Sequence, residues 1–472
     1  MTIKKWMALA CLGLVSMALA GEGEEYEVHP GFTLSSLRPQ GFEPRVTGMD
    51  FLSGGRLAVS TWRPNEVYIL SGWDGPPARM TARKAVTGFK EVMGLCVVKD
   101  TIFVADQDAV YALSDKNGDG LPETRTLVGS IPFSGSFHEW SFGLVCREGK
   151  FLTALSLAAT PTGKTAIPQK APLRGSVISM TRNGKVETIA TGLRAPDGIG
   201  QGPDGEIFAT DNQGSWLPAS KFIHVVQGRN YGHRATPPVA SDSAFPSLPA
   251  VWLPYGTVTR SPTQPVYIQA GQYAGQFFYG DIAFGVVRRI NLEKVAGEYQ
   301  GCVLRFSGGF EAGIHRLLAS PDGSLLLGGL GNGDAQNWGW REKTFGLQRL
   351  KPNGKTVFEI LTVHARRGGF EVEFSTAPGP EGSSSGHYAG KQWWYEPTSA
   401  YGGPAKDITE ASIRSAHVSL DGRRIFLEMP DLRPQQVVQV HLEGIHSSSG
   451  QELWTKDFWY TLNAFSNQEF QP

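Results

Sequence analysis

Phe137-His138-Glu139-Trp140 sets an imidazole and a carboxylate side by side, directly before the apolar run Ser141 to Val145. A neutral imidazole accepts a proton near neutral pH, which is the chemistry of a general base. The adjacent glutamate either orients that ring or, on a strand, points to the opposite face. Comparable groups stand ahead of five other apolar runs: Arg45 and Thr47, Lys90 and Glu91, Arg194 and Asp197, Thr259 and Arg260, Glu311 and His315. Solvated turns would be a random polar mixture. Gathering this many ionisable groups costs free energy unless they pair with one another or with a ligand, so the pattern points to a pocket.

The elements that must carry these residues repeat. GMDFLSGGRLAVST from Gly48, GLCVVKDTIFVADQ from Gly94 and GLVCREGKFLTALS from Gly143 each read as strand, tight turn, strand. The pattern returns at Gly198, Pro265 and His315, with GG, KD, EG and PDG among the turns. Six copies stand about 45 to 70 residues apart, each followed by a third strand such as NEVYIL or GVVRRI. A period of that size predicts an all-β chain built on a six-bladed β-propeller over residues 41–360. In a propeller the first strand of every blade lines the central channel. The six leading segments should therefore meet at one mouth.

Beyond residue 360 the pattern changes to alternating strands, GGFEVEFSTAP, HVSLDGRRIFLEM, QQVVQVHLEGI and LWTKDFWYTLN. These predict a β-sandwich of immunoglobulin-like type over 361–472. Its aromatic stretch QWWYEPTSAYGGP, with Trp393 and Trp394, reads either as a sugar-stacking platform or as domain-docking and core residues.

At the other end, Lys4 and Lys5, an apolar run from Trp6 to Met17, and Ala18-Leu19-Ala20 form a signal peptide over 1–20, cleaved after Ala20. A lead-in over 21–40 follows. The expectation is a periplasmic or secreted protein with no integral membrane segment. The mature cysteines Cys96, Cys146 and Cys302, odd in number and each in an apolar run, read as buried thiols. With 44 basic and 44 acidic residues and no basic block, no nucleic-acid partner is expected.

Three further stretches carry chemistry. DKNGDGLPE places oxygen ligands at Asp115, Asn117, Asp119 and Glu123, a spacing suited to Ca2+, although similar loops occur as plain hairpin connections. DNQGSW offers Asp211, Asn212, Gln213 and Trp216 for a hydroxyl-rich ligand, against the alternative of a structural turn. NWGWREKTFG adds Trp338, Arg341 and Lys343. No HExxH or Walker loop is present.

TGLRAPDGIGQGPDGEIFATDNQGSW followed by GRNYGHR, together with SPDGSLLLGG, resembles the soluble quinoprotein glucose/sorbosone dehydrogenases. The resemblance spans about residues 40 to 355 and is closest in the fourth and sixth repeats. It implies a six-bladed propeller that oxidises sugars with pyrroloquinoline quinone and calcium, passing electrons to an acceptor. His138 falls at the family's base, and Arg194 at a residue that holds cofactor or substrate. By extension Arg45, Lys90, Arg260 and His315 are cofactor-binding candidates.

The chain departs from the family at several points. The family asparagine after the arginine is Ala195, and an acidic pair near the calcium loop is Ser220-Lys221. The arginine pair that clamps the quinone carboxylates is Gly313 and His315, and the lysine falls near Ala283 or Phe284. Arg260, Arg288 or Arg289 would have to replace the lost grips. The leading expectation is an exported sugar dehydrogenase with His138 as base. The alternatives are a cofactor-free carbohydrate lyase or hydrolase using His138 and Glu139, and a non-catalytic glycan-binding propeller.

Overall fold

The computed structural model describes residues 27–160, 164–236, 246–333 and 338–471. The predicted signal peptide lies outside the described residues. Six antiparallel blades of four strands each lie at 46–84, 94–130, 141–190, 198–253, 262–307 and 313–352, the fifth being half of an eight-stranded sheet. Blade six supplies only three strands of its own. Its fourth is Phe32–Ser36, from the segment read as a lead-in, pairing antiparallel with Phe345–Pro352. The N-terminal strand thereby closes the ring.

The core lies between blades. Ala58, Val67 and Ile69 of blade one pack on Leu95, Ile102 and Val104 of blade two, and Leu57, Val59 and Leu70 on Leu326 and Leu347 of blade six. Each blade buries both faces only against its neighbours, which is why the repeat must close radially. Near the axis the first strands nearly touch. A Cβ on Gly94 would stand 2.4 Å from the Gly143 carbonyl carbon, and one on Gly198 2.2 Å from the Gln264 Cα. Two of the repeats therefore open on glycine for want of space.

Cys96 and Cys146 lie on two such neighbouring first strands and form a disulfide, with Cα atoms 6.2 Å apart. This corrects the reading of all three cysteines as thiols. Strand adjacency around the axis brings residues 50 positions apart together. Among the described residues Cys302 is the one free cysteine, and it is buried.

The C-terminal region is a two-layer β-structure. One layer is the four-stranded sheet of Ile360–Arg366, Gly369–Phe374, Arg424–Glu428 and Ser415–Val418. The other is continuous with the propeller: Asp457–Leu462 pairs with the outer strand of blade five, Glu298–Ser307, and Gln436–Leu442, Tyr388–Tyr395 and Ala405–Glu410 extend it to eight strands. Val363, Phe370 and Val372 face Val438, Val440, Phe458 and the blade-five residues Cys302 and Leu304 in one core.

A buried ion pair fixes the junction. Arg289 donates to Glu359 at 3.1 Å, and to the Ile360 and Leu361 carbonyls, while Tyr273 donates to Glu359 at 2.6 Å. Arg289 therefore ties the C-terminal layer to blade five and is not available to a ligand at the mouth.

Candidate active site

His138 lies half-buried ahead of the first strand of blade three. Its Nδ1 is 2.6 Å from the Leu157 carbonyl. A carbonyl only accepts, so Nδ1 carries the hydrogen and Nε2 presents a lone pair. Nε2 has no hydrogen-bond partner among the described residues. Burial, with the nearby Arg194 guanidinium, pushes the His138 pKa down to about 4. The ring is therefore neutral and basic at Nε2 across the physiological range.

Glu139 points the other way, from the turn that precedes the strand Ser141–Arg147. It is fully buried and accepts from the Ser134 amide at 2.7 Å and the Ser134 hydroxyl at 2.8 Å. Arg174, held by the Pro132, Trp140 and Gln107 carbonyls, supplies the opposite charge. Glu139 makes no contact that would orient His138, which removes the second group from the lyase or hydrolase alternative.

Trp140, two residues on, builds the floor. Its ring stacks on Trp338 at 4.9 Å and 11°, and Trp62 meets Trp338 edge-on at 5.9 Å. Glu91 accepts from the indole nitrogens of Trp62 at 2.6 Å and Trp140 at 3.0 Å, and pairs with Arg63 at 3.1 Å. Arg45 lies 5.9 Å from the Trp62 ring. Lys90 pairs outward with Asp108 and is largely exposed. The leading segments of blades one to three do converge, and tryptophans occupy the ground between them.

Arg194 is buried and donates to the Gln213 carbonyl at 3.0 Å. The Asp211 carboxylate receives the Arg194 and Ala195 amides, fixing that turn. Burial pushes the Asp211 carboxyl up and the Lys221 ammonium down. Asn212 and Gln213 donate to the Ala195 and Pro218 carbonyls, and Arg234 covers the Trp216 ring at 3.9 Å. The DNQGSW side chains thus mainly shape the turn that holds Arg194. Arg260 sits at the lead of blade five, and its Nε is buried with no hydrogen bond among the described residues.

His315 lies in the channel itself, fully buried. Nδ1 is 2.8 Å from the Val46 carbonyl and Nε2 3.0 Å from Asp197 Oδ1. Arg316 donates to the Thr47, Asp197 and Met93 carbonyls. At Gly313 a Cβ would stand 2.1 Å from the Ile282 oxygen. Neither position of the expected arginine clamp can reach a ligand at the mouth.

The Asp115 loop closes on itself. Asp115 accepts from the Gly118 and Gly120 amides, Asn117 from Asp119, Asp119 from Leu121, and Glu123 from Lys116. Among the described residues no group of three or more His, Cys, Asp or Glu side chains is placed to hold a metal ion. Trp393 is buried between the blade-five sheet and blade four, and Trp394 donates to Asp407. This favours the docking reading for those two tryptophans. No helix among the described residues is long and apolar enough to cross a membrane.

The sequence reading missed Trp140, the Leu157 carbonyl and Arg316, although Trp140 and Arg316 adjoin residues it singled out. Tyr401, within the aromatic stretch QWWYEPTSAYGGP, was not tied to this site by sequence; its ring lies 4.9 Å over the Arg194 guanidinium.

No family model matches the chain, and no curated protein matches it. Among solved structures it is similar to a candidate oxidoreductase (glucose dehydrogenase) from Thermus thermophilus, at 15% identity and a TM-score of 0.52 over 68% of this chain and 100% of that one. A PQQ-bound aldose sugar dehydrogenase from Streptomyces coelicolor matches at 15% identity and 0.50, over 68% and 99%. A family AA12 carbohydrate-active enzyme from Trichoderma reesei matches at 14% and 0.50, over 70% and 98%. What this chain shares with all three is the propeller fold.

Proposed function

We propose that the mouth around His138 oxidises a carbohydrate hydroxyl, with His138 as the general base. One observation carries the reading: Nδ1 is tied to the Leu157 carbonyl, leaving Nε2 as an open lone pair on a ring that resists protonation down to about 4. A hydroxyl placed against Nε2 gives up its proton as the C–H bond is oxidised. Arg194 lowers the proton affinity of that ring and favours the alkoxide developing beside it. Trp140 and Trp338 exclude water from the floor. The shared fold with the PQQ-bound aldose sugar dehydrogenase supports this substrate class.

The cations at the mouth fit an anionic quinone, through a grip other than the expected clamp. Arg260 keeps a buried, unpartnered Nε, while the carboxylates of Glu91, Glu139 and Asp211 are all occupied within the protein. Arg194 and Arg260 would hold the quinone's carboxylates. Pyrroloquinoline quinone, when bound, supplies the two-electron acceptor. Export to the periplasm or medium belongs to the same proposal, supported by the Cys96–Cys146 disulfide, a bond of oxidising compartments.

The test reconstitutes purified protein with pyrroloquinoline quinone and follows reduction of an electron-accepting dye over a panel of aldoses. Quinone-dependent turnover is expected, and it should fall at least ~10²-fold in His138→Ala. Absence of turnover with every sugar, or full turnover by the variant, sinks the proposal.

A further inference from the structure

The C-terminal region reaches the mouth. The loop 396–404, between the strands Tyr388–Tyr395 and Ala405–Glu410, lies along the blade-four turn that positions Arg194. Four backbone contacts hold it there. The Trp216 amide donates to the Thr398 carbonyl at 2.7 Å, the Gly402 amide to Gly214 at 3.0 Å and the Gly403 amide to Pro218 at 3.0 Å, and Ser215 bridges Tyr401. Gly402 has a φ of +71°, and a Cβ there would stand 2.6 Å from the Gln213 side chain, so only glycine keeps the approach this close. A fixed backbone thus presents the Tyr401 ring 4.9 Å over Arg194 while 54% of the residue stays exposed.

We propose that Tyr401 is a substrate-contacting residue that sets preference among carbohydrates, the C-terminal region supplying one wall of the propeller's site. The inference rests on the function proposed above. An aromatic ring held rigidly beside a cation, with its remaining surface open, stacks on the C–H face of a pyranose at little entropic cost. Its phenol offers one further hydrogen bond to a sugar hydroxyl. The competing role, merely covering Arg194, would leave selectivity among sugars unchanged. The three propeller structures are matched over 98–100% of their length and so have no counterpart of the rest of this chain.

The experiment compares wild type, Tyr401→Ala, Tyr401→Phe and Tyr401→Leu. It measures KM and kcat for glucose, galactose, xylose and cellobiose, and sugar affinity by tryptophan fluorescence. Tyr401→Ala and Tyr401→Leu should raise KM about tenfold for the preferred sugar and less for the others, with kcat within twofold. Tyr401→Phe should retain the wild-type ranking, and melting temperatures should coincide. Tyr401→Leu keeps apolar cover over Arg194, so it separates stacking from mere coverage. An unchanged sugar ranking in an active wild-type background overturns this inference alone. A wild type that neither binds nor turns over any of the four sugars overturns it together with the proposed function.

Discussion

His138 and His315 lead the first strands of blades three and six and share one backbone hydrogen bond, Nδ1 to a carbonyl. They differ at the other nitrogen. At the mouth, Nε2 of His138 has no hydrogen-bond partner among the described residues. In the channel, Nε2 of His315 is 3.0 Å from Asp197 Oδ1, so the two lone pairs must share a proton, with Arg316 3.5 Å from the same oxygen. The first histidine is left with work to do; the second is a crosslink between blades four and six. What separates a base from a structural histidine is the group opposite the second nitrogen.

The largest expected effect breaks the comparison if it fails. His138→Ala should lower turnover at least ~10²-fold while the melting temperature stays within a few degrees. Equal loss of stability and activity would make His138 a second His315. The mirror experiment is Arg316→Ala, which leaves Asp197 facing a buried histidine without its cation. We expect a stability loss of about 3–5 kcal/mol by denaturant unfolding, with activity falling only in proportion to unfolded protein.

A third test uses pH. Because the folded pKa of His138 lies near 4, the acidic limb of kcat/KM should fall near pH 4 and not near 6.5. Stability should decline as the pH falls from 6.5 to about 4. Burial lowers the pKa of His138 and, to about 3, of His233, so in that window the unfolded chain takes up protons that the folded one refuses. A limb at 6.5 in protein that remains folded would show that His138 is solvated like a free imidazole. The smallest effect is expected farthest from either histidine. Asp119→Ala, on an exposed loop, should change stability by no more than about 0.5 kcal/mol, and chelator should leave melting unchanged. Chelator-sensitive melting would restore calcium to that loop.

Much of this was legible along the chain. Hairpin turns and the spacing of GLCVV and GLVCR announce blades, and the residues leading each repeat mark the mouth, His138 and Arg194 among them. Whether Glu139 orients His138 was not legible, because the two residues lie in a turn ahead of the strand Ser141–Arg147 and not on an alternating strand. Aligning those two repeats would also have set Cys96 and Cys146 on adjacent strands. By contrast, nothing in FTLSS from Phe32 says that it completes blade six. Likewise, nothing in DFWYTL from Asp457 says that it pairs with blade five. Both are edge pairings between distant segments, and a strand's own pattern records which face is apolar but not whose edge it meets.

The sequence by itself therefore determined the repeat, the turns, the alternation and the candidate base, since each depends on neighbours within a few residues. Only the tertiary structure decided what the polar groups face: Leu157 for His138, Ser134 for Glu139, Asp197 for His315, Tyr401 for Arg194. A side chain's type sets which hydrogen bonds and charges it can offer. Which partner lies opposite, and how much water remains there, is settled by packing between blades and by a C-terminal layer about 200 residues downstream of Arg194.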